Sequence, residues 1–415
     1  MDRIEYGKLI KSKFYNSLDP NTVFTNHGSY GIAPNVVLKK KRELQEEMEK
    51  CPDKWFRYTS FDLYKQNIKS LASYLKVNSD NILLCENATD SINSILKSID
   101  FNIENPNQDV ILATEHTYLA IKNAIDFTSR YRFKKPVEVI ELKITFPIKE
   151  KKDLLDELDK TCDQIINYRK LNLKMAIFDH ISSATALLYP IEEMNKIVRK
   201  WSKDCIILID GAHALGQCKL DLEKYDCDFY VSNLHKWFLC TRACAFLYFK
   251  DKKKCIETLQ PSYISHGYKM DMVYNFYQRG TSDKTSWFLV DECINFYENT
   301  LGGLDKISNY SNIILDQAVL MLEKDCKTIR LQIPKEFEAP FMRILKLPKL
   351  KNFYIENPKD AESVTIKLMK YIHETFGVVS CVMYFQNELY LRISCFVYNT
   401  LDDFVSLKNA ILNLV

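Results

Sequence analysis

The stretch CIILIDGAH, residues 205–213, sets the fold class, because a short apolar run ends there at an aspartate, Asp210. An apolar run of this length predicts a strand that is buried on both faces, as in a parallel sheet. A second apolar strand leads into SNLHKW, residues 232–237, which contains Lys236. Ligands of parallel sheets bind beyond the carboxyl ends of the strands. The two stretches therefore predict a carboxylate and an amine at one edge of an α/β sheet.

Similar apolar runs alternate with helical patterns over most of the chain. Strands are predicted at 82–86, 109–115, 137–143, 174–180, 205–210, 229–233 and 244–250, and helices at 36–50, 61–76, 88–99, 117–130, 151–170 and 191–202. This alternation predicts a mostly parallel, seven-stranded sheet with helices on both faces. Thr89 or Asp90 is the predicted N-cap of helix 88–99.

The rest of the chain predicts a second, smaller unit. Long helical patterns run from about 285 to 325, and strands are predicted near 378–385 and 388–396. We therefore expect a large domain over 26–290 and a smaller α+β domain over 291–415, with residues 1–25 as an amino-terminal segment that packs on the small domain.

Composition limits the functional classes. The chain has 415 residues, 47% hydrophobic and 27% charged, with a net charge of +3. This is ordinary globular composition, and the small charge predicts no nucleic-acid partner. No apolar run approaches the roughly 18 residues of a membrane span, so no membrane association is predicted. Thirteen scattered cysteines without a CxxC pair predict reduced thiols and a cytoplasmic location.

Polar residues follow one predicted strand after another. They are Glu86–Thr89, Glu115–His116, Asp179–Ser183, Asp210–His213 and Asn233–Lys236. Because the strand ends meet at one edge, these groups are expected to form a single site. The histidines are spread over separate strand ends without paired ligand spacing, so no metal is predicted.

Several motifs together resemble one family of enzymes. They are FTNHGSYG (24–31), ENATDSIN (86–93), TEHTYLA (114–120), FDHISSATALLYPI (178–191), LIDGAHALGQ (208–217), SNLHKW (232–237), RGTSD (279–283) and LRISCFVYNT (391–400). Their order is similar to that of fold-type I enzymes of the class V aminotransferase group. The resemblance is strongest to the branch of isopenicillin N epimerases and cysteine desulfhydrases, which are C–S lyases. It implies a pyridoxal phosphate (PLP) cofactor and an amino-acid substrate.

The resemblance implies five residues around the cofactor ring. Lys236 is the Schiff-base lysine and the base that takes the Cα proton. Asp210 pairs with the pyridine nitrogen, which keeps the ring an electron sink for a Cα carbanion. His213 reaches the phenolic oxygen, and His116 stacks on the ring. Ser183 occupies a position near the phenolic oxygen where many relatives carry Asn.

The resemblance also implies a seat for the phosphate. Ala88 and Thr89 begin a helix, whose N–H groups and dipole attract an anion. Asn233 and His235 add side-chain contacts. Gly280 and Thr281 resemble the segment that reaches the phosphate from a neighbouring subunit, which implies a homodimer.

A third set of residues is assigned to the substrate. Arg392 resembles the arginine that grips the α-carboxylate with its planar fork. Asn26 and His27 are expected to line the substrate entrance. Arg57 is a weaker candidate for a second anionic group, and a solvated position is favoured for it. Asp179 and His180 are divided evenly between site contact and structural bonding.

The expected reaction is elimination of a sulfur or other leaving group from the side chain of an amino acid, as in a C–S lyase. Transamination or epimerisation is the alternative that also starts from a Cα carbanion. A cysteine desulfurase requires a nucleophilic cysteine on a flexible loop, and Cys381 and Cys326 are the candidates, with buried thiols the favoured interpretation. A binding protein that kept the fold without catalysis is the remaining alternative.

Overall fold

The computed structural model describes residues 5–104, 107–132 and 135–415, so the first four residues of the predicted amino-terminal segment lie outside it. The strands of this part are β1 (Val23–Phe24), β2 (Ile82–Cys85), β3 (Asp109–Thr114), β4 (Glu138–Leu142), β5 (Asn172–Asp179), β6 (Ile206–Asp210), β7 (Phe229–Asn233), β8 (Ala245–Phe249), β9 (Ile329–Arg330), β10 (Met342–Lys346), β11 (Val378–Val379), β12 (Val382–Phe385) and β13 (Glu388–Ser394).

The helices of the described residues lie between and beyond these strands. They are α1 (Lys8–Phe14), α2 (His27–Tyr30), α3 (Asn35–Lys50), α4 (Pro52–Lys54), α5 (Ser60–Leu75), α6 (Ala88–Ser98), α7 (Leu119–Arg132), α8 (Lys151–Asp163), α9 (Ile191–Trp201), α10 (Lys252–Thr258), α11 (Met272–Tyr277), α12 (Val290–Asn295), α13 (Gly303–Cys326), α14 (Ala361–Phe376) and α15 (Leu401–Leu412). Single π-helical turns adjoin them at Trp55–Thr59, Gln164–Tyr168 and Phe296–Thr300.

A seven-stranded sheet positions the site. Its strand order is β2-β8-β7-β6-β5-β3-β4, and only β8 runs antiparallel to its neighbours. Strands β2, β3, β7 and β8 are buried at every position, because helices cover both faces of the sheet. The predicted α/β class with a mostly parallel seven-stranded sheet is confirmed.

The carboxyl-terminal part forms a second sheet. Strands β12-β13-β10-β9 are antiparallel neighbours, and their apolar face packs with α13, α14 and α15 around Leu322, Leu368 and Phe404. Residues Val23–Phe24 pair in parallel with Val378–Val379, which ties the amino-terminal segment to this part. The division into domains at about 290 stays a prediction.

Two local predictions were wrong. The strand predicted at 378–385 is two strands, because Val378–Val379 pair with β1 whereas Val382–Phe385 pair with β13. The N-cap of α6 is Asn87 rather than Thr89 or Asp90, since the Asn87 side chain accepts the N–H of Asp90 at 2.8 Å. Within the described ranges, no helix is both long enough and apolar enough to cross a bilayer.

Candidate active site

Five strand ends bring polar side chains to one edge of the large sheet. β5 and β6 are parallel neighbours, and Asp179 lies directly opposite Asp210 in their register. Lys236 follows β7, and His116 follows β3. The edge therefore gathers two carboxyl groups, an amine and an imidazole, as the sequence predicts.

The amine of Lys236 is held by an imidazole. Its Nζ lies 2.9 Å from Nε2 of His213, whose Nδ1 accepts the indole N–H of Trp237 at 3.3 Å. With Nδ1 accepting, a neutral His213 carries its proton on Nε2 and donates it to Lys236 when that amine is neutral. Burial, and then the charge of Arg392, lower the pKa of Lys236 to about 8. The amine is thus readily neutral and nucleophilic.

The backbone that carries Lys236 is tightly enclosed. Gly31 has φ +65°, and a Cβ there would lie 1.9 Å from the carbonyl oxygen of His235. Gly216 has φ +85°, and a Cβ there would lie 2.4 Å from the carbonyl oxygen of Trp237. Only glycine allows this approach at positive φ. These two glycines fix the lysine loop from both sides.

Two buried carboxyl groups face the site from β5 and β6. Oδ1 of Asp210 accepts the N–H of Ala212 at 2.9 Å, and burial raises the pKa of Asp210. Oδ2 of Asp179 is buried without a hydrogen-bond partner. Burial and the nearby Asp210 raise the pKa of Asp179 well above its usual value. Their raised pKa values disfavour ionising both carboxyl groups, and a cation placed opposite Asp210 would favour ionising Asp210.

His116 presents a nearly buried ring with one free nitrogen. Its side chain is 10% exposed, stacks on Phe146 at 5.8 Å and meets Phe385 edge-on at 5.5 Å. Nε2 has no hydrogen-bond partner, and the closest carboxylate oxygen, on Glu115, is 3.9 Å away. Burial lowers the pKa of this imidazole. A neutral ring with an unused nitrogen suits stacking and proton transfer.

The start of α6 differs in one respect from the predicted phosphate seat. The N–H of Ala88 already donates to Oδ1 of Asn233 at 2.9 Å, so these two groups satisfy each other. Thr89 stands at the next position of the first turn. Nδ1 of His235 faces both the carbonyl oxygen and the N–H of Cys244, at 2.9 and 3.4 Å, and the tautomer that accepts this N–H carries on Nε2 the proton that an anion needs. The first turn of α6 keeps the positive end of the helix dipole towards the site.

Gly280 and Thr281 lie on the surface. Both are exposed, and a Cβ at Gly280 would have no heavy atom within 4 Å. The space around this segment is therefore open in a single chain. Its predicted contact with a neighbouring site stays a prediction.

Arg392 is a buried guanidinium with uncharged partners. Nη1 donates to the carbonyl oxygen of Ser183 at 2.6 Å and to its Oγ at 3.1 Å. Nη2 donates to Oδ1 of Asn26 at 3.1 Å and to Oγ of Ser29 at 3.0 Å. The side chain is 2% exposed, and Nε has no hydrogen-bond partner. A buried cation held by neutral oxygens can receive an anionic ligand.

Two predicted site contacts, His27 and Ser183, are corrected, and the open assignment of His180 is decided. His27 does not line an entrance: it is buried, stacks on Phe396 at 4.6 Å, and both its ring nitrogens are engaged, Nδ1 with the Tyr398 hydroxyl and Nε2 with the Lys236 carbonyl. Ser183 is bonded to Arg392, so its hydroxyl serves the carboxylate end of the site. His180 is structural, with Nδ1 2.7 Å from the hydroxyl of Tyr230.

The remaining candidates, Arg57, Cys326 and Cys381, occupy the solvated or buried positions that the sequence favours. Arg57 is exposed and pairs with Asp53 at 3.1 Å, as favoured from the sequence. Cys326 is buried at the end of α13, where its thiol faces the carbonyl oxygen of Lys408 at 3.6 Å. Cys381 lies between β11 and β12, with Sγ 3.7 Å from Sδ of Met383. Neither thiol lies on an exposed loop.

Sequence reasoning missed Ser29 and Trp237, which hold Arg392 and His213 in place. Both were within reach, because Ser29 follows Asn26 by three residues in FTNHGSYG and Trp237 directly follows the lysine in SNLHKW. Among residues 5–104, 107–132 and 135–415, no three or more His, Cys, Asp or Glu side chains form a group that could hold a metal.

Comparison with known families identifies the chain. The sequence profile of the family Aminotransferase class-V matches residues 33–405. The chain belongs to this family. PLP is the cofactor of the class V aminotransferases, and the site fits it: Lys236 offers an amine, Asp210 a buried carboxyl group, His116 a ring with an unused nitrogen, and α6 a helix amino terminus.

Curated relatives cover nearly all of the chain. A probable chloroplastic L-cysteine desulfhydrase of Arabidopsis thaliana is 27% identical, over 98% of this chain and 85% of the relative. A hercynylcysteine sulfoxide lyase of Schizosaccharomyces pombe is 26% identical, over 98% and 97%. An isopenicillin N epimerase of Amycolatopsis lactamdurans is 24% identical, over 68% and 70%.

Solved structures share the fold. A variant of C-DES with glycine covalently linked to its PLP cofactor has a TM-score of 0.77 at 15% identity, over 98% of this chain and 99% of that one. An apo cysteine desulfurase from Thermococcus onnurineus NA1 has a TM-score of 0.73 at 14% identity, over 100% and 99%. At these identities the likeness shows the fold alone.

Proposed function

We propose that this PLP-dependent enzyme is a C–S lyase that removes a sulfur leaving group from the β-carbon of an amino acid. The observation that carries the proposal is the bond of 2.9 Å between Lys236 Nζ and His213 Nε2, within one site with the buried guanidinium of Arg392. The relatives named desulfhydrase and lyase support the same reaction.

Each end of the substrate has a partner in this site. Arg392 binds the α-carboxylate, since its fork faces only neutral oxygens of Ser183, Asn26 and Ser29. When bound, PLP withdraws electrons from Cα, which makes the Cα proton acidic. The neutral amine of Lys236 takes that proton. Arg392 and Asp210 are buried and Lys236 is half-buried, which limits the access of water to the site.

The elimination needs a base and an acid. Lys236 receives the Cα proton as the Cα–H bond breaks; a Cα=Cβ bond forms, and the Cβ–S bond breaks. The thiolate takes a proton from the ammonium that Lys236 has become, which restores the neutral amine. The released 2-aminoacrylate reacts with water to give pyruvate and ammonia. Lys236 thus acts first as the base and then as the acid, and all atoms of the reaction are accounted for.

A product panel tests the proposal. Purified holoenzyme is mixed with L-cysteine and S-substituted cysteines, and pyruvate, ammonia and sulfide or thiol are measured. Equal amounts of pyruvate and thiol are expected. Conversion of a 2-oxo acid instead indicates transamination, and exchange of the Cα hydrogen alone indicates epimerisation; either result refutes lyase activity. Alanine with persulfide indicates a desulfurase, which the buried position of Cys381 disfavours.

We also propose a homodimer, because Gly280 and Thr281 are exposed in open space and resemble a segment that reaches a neighbouring site. Light scattering gives the mass, and mixing a Lys236→Ala chain with a Thr281→Arg chain gives a complementation test. A cytoplasmic location is proposed from thirteen free cysteines, twelve of them buried or half-buried, which suit a reducing compartment. Fractionation of cells tests it.

A further inference from the structure

One face of the small sheet carries Arg392 and reaches His116. β12 and β13 are antiparallel, with Met383 opposite Tyr390. Cys381 precedes β12 and continues this pairing, because its carbonyl oxygen accepts the N–H of Arg392 at 2.8 Å. Residues two apart along a strand point to the same face. Cys381, Met383 and Phe385 therefore share the face that presents Arg392.

The side chains of this face form a continuous row. Sγ of Cys381 lies 3.7 Å from Sδ of Met383. Phe385 stacks on Tyr390 with ring centroids 3.8 Å apart and meets His116 at 5.5 Å. We call these side chains, with Phe146, the sulfur–aromatic row. It runs from Cys381, whose main chain pairs with that of Arg392, through Met383 and the packed rings to the imidazole of His116.

Every side chain of the sulfur–aromatic row is uncharged. Its five members are two sulfur-containing and three aromatic residues, Cys381, Met383, Phe385, Tyr390 and Phe146. Three of them are almost fully buried, whereas Met383 and Phe146 are half-buried and retain accessible surface.

Cations beside the row are already paired with carboxylates. Lys346, opposite Tyr390 on β10, contacts Glu388. Lys122 contacts Glu141 at 2.7 Å, and Lys143 contacts the same residue at 3.4 Å. A substrate carboxylate laid on the row would therefore lose water without gaining a free cation.

We propose that the sulfur–aromatic row binds the side chain of the substrate and selects S-substituted cysteines with an uncharged thioether group over amino acids with a second carboxylate. This inference rests on the proposed function, since it takes Arg392 as the partner of the α-carboxylate and Lys236 as the base at Cα. With the α-carboxylate on Arg392 and Cα beside Lys236, a substrate side chain that extends from Cα away from Arg392 lies along the row. Thioether sulfur and aryl groups pack favourably against aromatic rings and methionine.

The test compares two probes of opposite character. S-Benzyl-L-cysteine and S-carboxymethyl-L-cysteine are supplied to the holoenzyme, and pyruvate release gives kcat/KM for each. The benzyl compound is expected to be preferred by at least about tenfold, the scale on which an apolar pocket discriminates. Equal values, or preference for the carboxymethyl compound, overturn the proposal.

Two variants locate the preference on the row. Met383→Glu places a charge in the row and is expected to abolish the preference. Tyr384→Ala is the matched control, because its side chain lies on the opposite face of β12, where its hydroxyl bonds to Asn387. It is expected to keep the wild-type ratio. A preference that survives Met383→Glu, or one lost equally in Tyr384→Ala, overturns the assignment to the row.

A binding measurement separates this proposal from the proposed function. If no compound in the panel releases pyruvate, lyase activity is refuted. The row is then tested by titrating the holoenzyme with L-phenylalanine and L-aspartate and following the visible absorbance of the cofactor. Tighter binding of L-phenylalanine by about tenfold or more, lost in Met383→Glu, supports the row, and equal affinities overturn it.

Discussion

Two cationic side chains of this protein, the buried Arg279 and the half-buried Lys236, have opposite surroundings. Arg279, which follows α11, meets both carboxylate oxygens of Asp90 in the first turn of α6, with Nη2 2.6 Å from Oδ1. Lys236 instead meets the imidazole of His213 at 2.9 Å. Burial alone lowers the pKa of either cation, but pairing with Asp90 raises that of Arg279 overall, whereas that of Lys236 falls to about 8. A paired charge holds the fold, and an unpaired one is available for chemistry.

The largest expected effect concerns the unpaired cation. Lys236→Ala should reduce turnover by more than about a thousandfold, because it removes both the cofactor linkage and the base. It should also abolish the visible absorbance of the bound cofactor. Its cofactor-free form should unfold at no lower urea concentration than the wild type, since no ion pair is broken. A clear loss of stability would mean that Lys236 is structural.

Breaking the ion pair of Arg279 should lower the stability of the fold, whereas the loss of Lys236 should not. Asp90→Asn leaves the guanidinium of Arg279 buried without a counter-charge, which costs about 3–5 kcal/mol in the free energy of unfolding. Urea denaturation of the cofactor-free protein measures this. Arg57→Ala is the control, because it breaks an exposed pair with Asp53 and should change stability far less. Equal losses in the two variants would contradict the contrast.

A third experiment changes the pKa of the Lys236 amine by substituting Arg392. Only the neutral amine can capture the cofactor, so the rate at which cofactor-free protein takes up PLP should rise with pH through about 8. Arg392→Gln removes a positive charge that lowers the pKa of Lys236, so the midpoint should move to higher pH. It should also lower kcat/KM by roughly tenfold to a hundredfold, through lost charge-assisted hydrogen bonds.

Arg392→Lys separates the two effects of that change. It keeps the positive charge but loses the planar fork, so the midpoint should stay near 8 while kcat/KM still falls. A midpoint that moves equally in both variants would show that the charge of Arg392 does not act on Lys236.

The smallest expected effect comes from the second carboxyl group. Asp179 is buried with an unpartnered oxygen, and burial and Asp210 raise its pKa well above the usual value, which favours its neutral form. Asp179→Asn should therefore change kcat by less than about threefold, whereas Asp210→Asn should lower it strongly. Infrared difference spectra should lose a protonated carboxyl band in Asp179→Asn. The absence of that band in the wild type would refute the assignment.

The sequence predicts the frame of the site better than its bonding. Lys236, Asp210 and His116 were correctly placed at one sheet edge, because parallel strands end together and their order follows from apolar runs. The capping residue of α6 was misplaced by two or three positions, because Asn87, Thr89 and Asp90 all have capping side chains. Only the geometry of the turn decides among them.

His27 shows a second limit. A polar residue in a motif near the site was expected to face the substrate, yet it lies among Trp237, Phe396 and Tyr398. Its partners come from positions more than 200 residues away in the chain, so no local pattern contains them. Ser183 was likewise assigned to the cofactor, because its bond to Arg392 joins two distant segments.

The close contact of Gly31 and Gly216 with the lysine loop has a consequence for turnover. Since the main chain at Lys236 has no room to shift, every excursion of its amine must come from rotation about side-chain bonds. The ordering entropy of that loop is then spent once, during folding, instead of in each catalytic cycle. Gly31→Ala or Gly216→Ala should therefore leave the amine of Lys236 chemically intact but hold it in the wrong orientation for the reaction.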